Sequence, residues 1–173
     1  MKTVVVTGSA RGFGFEFVRL FRERDYNVVV CDISKESLDI AVEKLNSIKS
    51  KGKVLSYVVD VTDEKMVSDM INSVLKEEKT IDIWINNAGV NQPNKAIWEL
   101  DKKTIDHLID IDLKGTILCS KLIMPVMIKQ QGGQIYNVEG YGSNDATQLG
   151  LSIYGTSKRA VTYFTEALAK ESD

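Results

Sequence analysis

Tyr154 and Lys158 stand four residues apart in the run Tyr154-Gly155-Thr156-Ser157-Lys158. On a helix that spacing puts a phenol and an ammonium on one face. A phenol with the ordinary pKa of about 10 is a poor base at neutral pH. One cation about 4 Å away, at an effective dielectric near 20, contributes on the order of 4 kcal/mol. That is roughly the energy needed to bring a phenol near neutrality. The pair therefore reads as acid/base apparatus, provided its helix is turned toward a reactant. Alone, a Tyr and a Lys at this spacing are common on helices and carry no function.

A second cluster gives the pair a setting. Thr7-Gly8-Ser9-Ala10-Arg11-Gly12-Phe13-Gly14 comes after the β-branched run Val4 to Val6. Its glycines let the backbone turn sharply and approach a pyrophosphate, and the next helix aims free N–H groups at that anion. The spacing is T-G-x-x-x-G-x-G rather than G-x-G-x-x-G. Asp32, after a second apolar run, can accept hydrogen bonds from ribose hydroxyls and would repel a 2′-phosphate, which favours NAD over NADP. Arg11 pulls the other way, so NADP stands as the alternative. Ile33 beside Asp32 is counted with the same site, as are Asp60, against the adenine, and Val61 after it. Asn86-Asn87-Ala88-Gly89 is a further polar and small cluster.

These residues need elements to hold them. Val4–Val6 reads as a strand apolar on both faces, as buried parallel strands are, Val28–Cys31 as a second buried strand, and Val54–Val59, Ile81–Ile85 and Gln134–Val138 as the third, fourth and fifth strands. Between them lie helical patterns over Phe13–Arg24, from Ser34 to about Ser50, from Thr62 or Asp63 onward, and from about Lys102 to Gln130, which Pro125 is expected to bend or split. Ser152 to about Glu171 is a final helix. Strands alternating with helices imply a doubly wound, Rossmann-type α/β domain, here one domain over residues 1–173. Ligands in such sheets bind beyond the carboxyl ends of the strands, and each cluster above lies at such an end.

Composition narrows the partners. Lys+Arg is 22 and Asp+Glu is 24, a formal net charge of −2, which gives no footprint for nucleic acid. No apolar run is long enough to span a bilayer, and the N-terminal apolar run is too short for a secretory signal, so a cytoplasmic location and no membrane partner are expected. Cys31 and Cys119 read as two buried free thiols. His107, the only histidine, reads as a solvated helix residue, and no Cys/His/carboxylate cluster has zinc spacing.

In order and spacing, the glycine turn at 7–14, Asp60, Asn86-Asn87-Ala88-Gly89 and Tyr154-x-x-x-Lys158 resemble the short-chain dehydrogenase/reductase family. The stretch Asp82 to Gly89, Leu113-x-Gly115 and Gly133-x-Ile135-x-Asn137-x-x-Gly140-x-Gly142-Ser143 is similar to the chlorophyll(ide) b reductase branch and its bacterial relatives. The resemblance implies hydride transfer between a nicotinamide cofactor and an alcohol or carbonyl compound. It implies Tyr154 as acid/base, Lys158 holding the nicotinamide ribose and lowering the tyrosine pKa, and a homodimer or homotetramer. A non-catalytic dinucleotide-binding protein of the same fold is the alternative. Three departures stand out. Tyr141 occupies the position, thirteen before Tyr154, where the family has a carbonyl-polarising serine, leaving Ser143 as the substitute. Asp112 stands where the family has a water-holding asparagine. The family's last strands do not come after residue 173, so the expectation is a chain incomplete at its C-terminus.

Overall fold

The computed structural model describes residues 1–172. Five parallel strands, β1 (Thr3–Thr7), β2 (Asn27–Asp32), β3 (Val54–Val58), β4 (Ile83–Asn86) and β5 (Gln134–Asn137), form one sheet in the order β3-β2-β1-β4-β5. The order reverses beside β1, which makes a crevice between the carboxyl ends of β1 and β4. Six α-helices connect and flank the strands: α1 (Gly12–Arg22), α2 (Lys35–Asn46), α3 (Glu64–Glu78), α4 (Lys102–Ile109), α5 (Thr116–Gln130) and α6 (Ser152–Glu171).

The β-branched runs are explained by a core on each side of the sheet. Side chains alternate across a strand. Val5, Val29 and Trp84 meet α3 and α5 through Val67, Met70, Ile71, Val74 and Ile123. Val4, Val6, Val28, Val30 and Ile85 meet α1 and α2 through Val18, Leu38, Ala41 and Leu45. Burying one such side chain stabilises the fold by roughly 1.5–3 kcal/mol. Helices start at their capping residues: Ser34 accepts the Ser37 N–H, and Asp63 accepts the Met66 N–H. Both cysteines are free and buried, and burial pushes the Cys119 thiol up to about 12, so neither is a ready nucleophile.

The long helical pattern differs from expectation. Pro125 sits inside α5. The interruption comes earlier, where Asp110–Gly115 form a π-helical turn between α4 and α5. A π turn inserts an extra residue and rotates the next helix about its axis. Gly115 is needed there, because a Cβ on it would lie 2.9 Å from Val61 Cγ2.

Amide side chains lace the seam between β4 and β5. Asn86 Oδ1 accepts the Trp84 indole N–H at 2.7 Å, and Asn86 Nδ2 donates to Ser120 Oγ and to Asn137 Oδ1. Asn137 Nδ2 in turn donates to Thr165 Oγ1 on α6. The half that carries the glycine turn is thereby tied to the half that carries Tyr154.

Candidate active site

The turn after β1 needs glycine at particular points. Gly8 has φ +59, and a Cβ on it would meet the Ala88 backbone at 2.7 Å; one on Gly14 would fall 2.5 Å from the Gly8 carbonyl oxygen. The turn and the end of β4 therefore touch through backbone. Asn87 Nδ2 clips them together by donating to the Thr7 and Gly8 carbonyls at 2.9 and 3.0 Å. Helix α1 has no side-chain cap and no acidic residue in its first turn, so its first amides are free to face an anion.

In front of this turn lies a cavity of about 640 Å³. Gly8, Arg11, Gly12, Phe13, Gly14, Asp32, Ile33, Asp60, Val61, Asn87, Ala88 and Gly89 all line it, joined by Val59, Val90, Asn91 and Ile111, which sequence reasoning did not single out. Phe13 and Ile33 are 81% and 68% exposed, apolar groups at the rim that a bound planar ligand would cover. Asp32 is nearly buried; its Oδ2 accepts the Ala10 N–H at 3.4 Å and its Oδ1 the Ser34 N–H at 3.2 Å. Asp60 holds the Thr62 amide and hydroxyl. Thr7 and Ser9 are not brought into this lining. Thr7 Oγ1 accepts the Asn87 and Ala88 N–H groups, and Ser9 Oγ donates to the Val6 carbonyl and accepts the Cys31 N–H. Their side chains serve the turn from behind.

Lys158 and Asp112 approach this cavity at Gly89. A Cβ on Gly89 would lie 3.2 Å from Asp112 Oδ1 and 3.7 Å from Lys158 Nζ. Lys158 is buried and donates to the Val138 carbonyl at 3.1 Å. The Tyr154 hydroxyl packs on Gly140, where a Cβ would lie 2.3 Å from it. Ser143 Oγ donates to the Gly140 carbonyl at 2.7 Å, so the serine closes the turn on which the phenol rests. Tyr141 is exposed and reaches the Thr147 carbonyl. A larger groove of about 920 Å³ runs along Gly155, Arg159 and Tyr163, and contains neither Tyr154 nor the glycine turn.

One expectation is corrected. Lys158 does not draw the phenol toward neutrality here: burial first, then the Asp112 charge, push the Tyr154 pKa above its ordinary value. The physical reason is distance and competition. The ammonium lies 5.7 Å from the ring centroid and donates to the Val138 carbonyl instead. Burial also lowers the Lys158 pKa, which Asp112 partly offsets. Asp112 is buried on the π turn; its Oδ1 accepts the Val90 N–H at 2.7 Å, and its Oδ2 has no hydrogen-bond partner among the described residues. Desolvation raises its pKa, against the Val90 hydrogen bond and the Lys158 and His107 charges.

A family profile described as short chain dehydrogenase matches residues 2–173. The chain belongs to the short-chain dehydrogenase family. It is 35% identical over 168 residues to an uncharacterized oxidoreductase of Bacillus subtilis, covering 97% of this chain and 60% of that one. It is 34% identical over 170 residues to a chloroplastic chlorophyll(ide) b reductase of Arabidopsis thaliana, covering 97% of this chain and 49% of that one. An NAD+-bound xylitol dehydrogenase superposes with a TM-score of 0.91 at 27% identity, over 99% of this chain and 65% of that chain. A metagenomic short-chain oxidoreductase in complex with NADP superposes with a TM-score of 0.91 at 24% identity, over 98% and 76%; at that identity the likeness concerns the fold. The chain thus spans about half to three-fifths of these two curated relatives. No described helix is long and apolar enough to cross a membrane, and no group of three metal-ligating side chains occurs among the described residues.

Proposed function

We propose that this protein is a nicotinamide-dependent oxidoreductase acting on a small alcohol/carbonyl pair, with NAD as the favoured cofactor and Tyr154 as the acid/base. The observation that carries the reading is the junction at Gly89, which lines the glycine-turn cavity and also lies against Lys158 and Asp112. The residues fit a dinucleotide. The free first turn of α1 suits a pyrophosphate, Asp32 stands at the end of β2 where a ribose would lie, and the exposed faces of Phe13 and Ile33 are there to be covered. When bound, the nicotinamide supplies or accepts the hydride. The chain's own part is the proton. Tyr154 would give its proton to a carbonyl oxygen in reduction and take one from an alcohol in oxidation; burial and the Asp112 charge, which raise its pKa, make it a weaker acid than an ordinary phenol until a cofactor is bound. Lys158, whose pKa burial lowers and the Asp112 charge partly restores, lies against Gly89 at the cavity's edge and would hold the nicotinamide ribose. Ser143 reaches the substrate only by leaving the Gly140 carbonyl.

The test is Tyr154→Phe in the full chain, with NADH and NADPH titrated separately by fluorescence. Loss of carbonyl turnover by about 10²–10⁴-fold, with NADH binding retained, is the expected result. Equal turnover with Phe at 154 overturns the mechanism, and tighter NADPH than NADH binding overturns the weight given to Asp32. Light scattering checks the expected homodimer or homotetramer.

A further inference from the structure

Helix α6 carries the acid/base pair but begins without a cap of its own. Leu151, at its N-cap, has φ −124 and ψ 26 and no side-chain hydrogen bond to the first turn. The orphan amides there must find an acceptor elsewhere. They find Gln92, sixty-one residues upstream. Gln92 Oε1 accepts the Ile153 N–H at 2.9 Å and the Tyr154 N–H at 3.0 Å. The side chain is 6% exposed. Its orientation is dictated by its surroundings, since both facing groups are donors and only the carbonyl oxygen answers them.

We propose that Gln92 is a positioning residue for the Tyr154 phenol, joining the wall of the dinucleotide cavity to the first turn of α6. This rests on the functional reading above. Gln92 is three residues past Gly89 and comes directly after Val90 and Asn91, which line that cavity. One carboxamide oxygen therefore holds the backbone amide of the acid/base residue itself. A second contact from the same loop backs it: Gly150, at φ +80, lies so close to Asn94 that a Cβ on it would fall 2.0 Å from Asn94 Oδ1. The segment entering α6 is thus seated against the loop after β4 at two points. The phenol's place is set by the cavity wall as well as by the turn after β5. A group that settles against Val90 and Asn91 acts on the same loop that fixes Tyr154.

The experiment uses the full chain with 3-fluorotyrosine at position 154, read by fluorine NMR across a pH titration with and without NAD+, beside amide hydrogen exchange. In Gln92→Ala the Ile153 and Tyr154 amides are expected to exchange about five- to tenfold faster, the size of a lost helix cap. The fluorine resonance shifts and broadens, and the phenol titrates at a different midpoint. Gln92→Glu keeps an acceptor, so the amides stay protected while the added negative charge moves the midpoint up. Faster amide exchange with an unmoved fluorine resonance and midpoint would make Gln92 a cap only and overturn the positioning role. Unchanged exchange overturns the cap as well. If Gln92→Ala fails to fold, Gln92→Met, which fills the same space without an acceptor for the two amides, is read in its place, and an unmoved fluorine resonance overturns the proposal. None of these readouts involves turnover, so a Tyr154→Phe variant that keeps its activity defeats the functional reading without altering them.

Discussion

Gly140→Ala tests the placement of the phenol most sharply. The added Cβ would stand 2.3 Å from the Tyr154 hydroxyl and 3.1 Å from Lys158 Cγ, where ordinary contact begins at 3.4 Å. The hydroxyl is thus about 1 Å too close, and being the far end of a side chain it is the atom that gives way. A misplacement of about 1 Å at a reacting group costs on the order of 100-fold in rate, equivalent to roughly 2.7 kcal/mol of barrier. Gly140 does not line the cavity at the glycine turn, and its Cβ presses harder on the Tyr154 hydroxyl than on Lys158 Cγ, so kcat should carry more of the loss than the cofactor dissociation constant. Overpacking of this kind lowers stability by about 1–3 kcal/mol, which thermal melts would register without unfolding the chain at assay temperature. The assay is steady-state carbonyl reduction monitored by NADH absorbance, with cofactor binding by fluorescence and a structure of the variant. An unchanged kcat with a displaced hydroxyl would remove Tyr154 from the chemistry. An unchanged kcat with the hydroxyl where it was would refute the packing argument.

The same geometry sets other outcomes. Because burial raises the Asp112 pKa, the folded state holds its proton more tightly than the unfolded chain does. The resulting penalty is absent below the unfolded pKa, grows as pH rises through the folded pKa and is complete above it. Asp112→Asn should therefore stabilise the protein at neutral pH by on the order of 1 kcal/mol, with the gain vanishing in acid; a melt series across pH checks it. The same substitution removes a charge that holds the Tyr154 pKa up, so the alkaline fall of reductive activity should move to lower pH, and an unmoved limb would show that the Asp112 charge does not act on the phenol. Gly14→Ala would drive a methyl to 2.5 Å from the Gly8 carbonyl oxygen, where neither backbone can yield, and should weaken NADH binding at least about tenfold; binding as tight as in the parent would show that the turn is not the pyrophosphate cradle.

Much of the fold is legible in the residues. Val4 to Val6 and Val28 to Cys31 are apolar at every position because they face a helix layer on both sides, and that pattern belongs to buried parallel strands. Ser34 marks its helix start through a side-chain oxygen that caps, whereas the residues leave Thr62 and Asp63 as alternatives for the next helix and Asp63 takes the cap. The π turn at Asp110–Gly115 is not legible, since its extra residue answers to the packing of Gly115 on Val61, a contact between distant segments. Pro125 gives a local signal for a break that α5 absorbs. The direction of the Tyr154 shift runs against the sequence reading because the spacing of Tyr154 and Lys158 reports a shared face, whereas the shift depends on burial and on Asp112, which lies forty-two residues away. Gln92 leaves no trace in any motif, because its role is a hydrogen bond to backbone.

The amides at the β4–β5 seam have a further consequence for how such a protein changes over time. Asn86 uses one carbonyl and two N–H donors on Trp84, Ser120 and Asn137 at once. A replacement at any one of them leaves a partner unpaired, which carries a penalty of about 1–3 kcal/mol where that partner is buried, as Trp84, Asn86 and Ser120 are. Change at the seam must therefore proceed by coordinated swaps, while exposed side chains such as Trp98 and Leu149 carry no such constraint. The seam thus couples the fate of four side chains, Trp84, Asn86, Ser120 and Asn137, from segments that lie far apart in sequence.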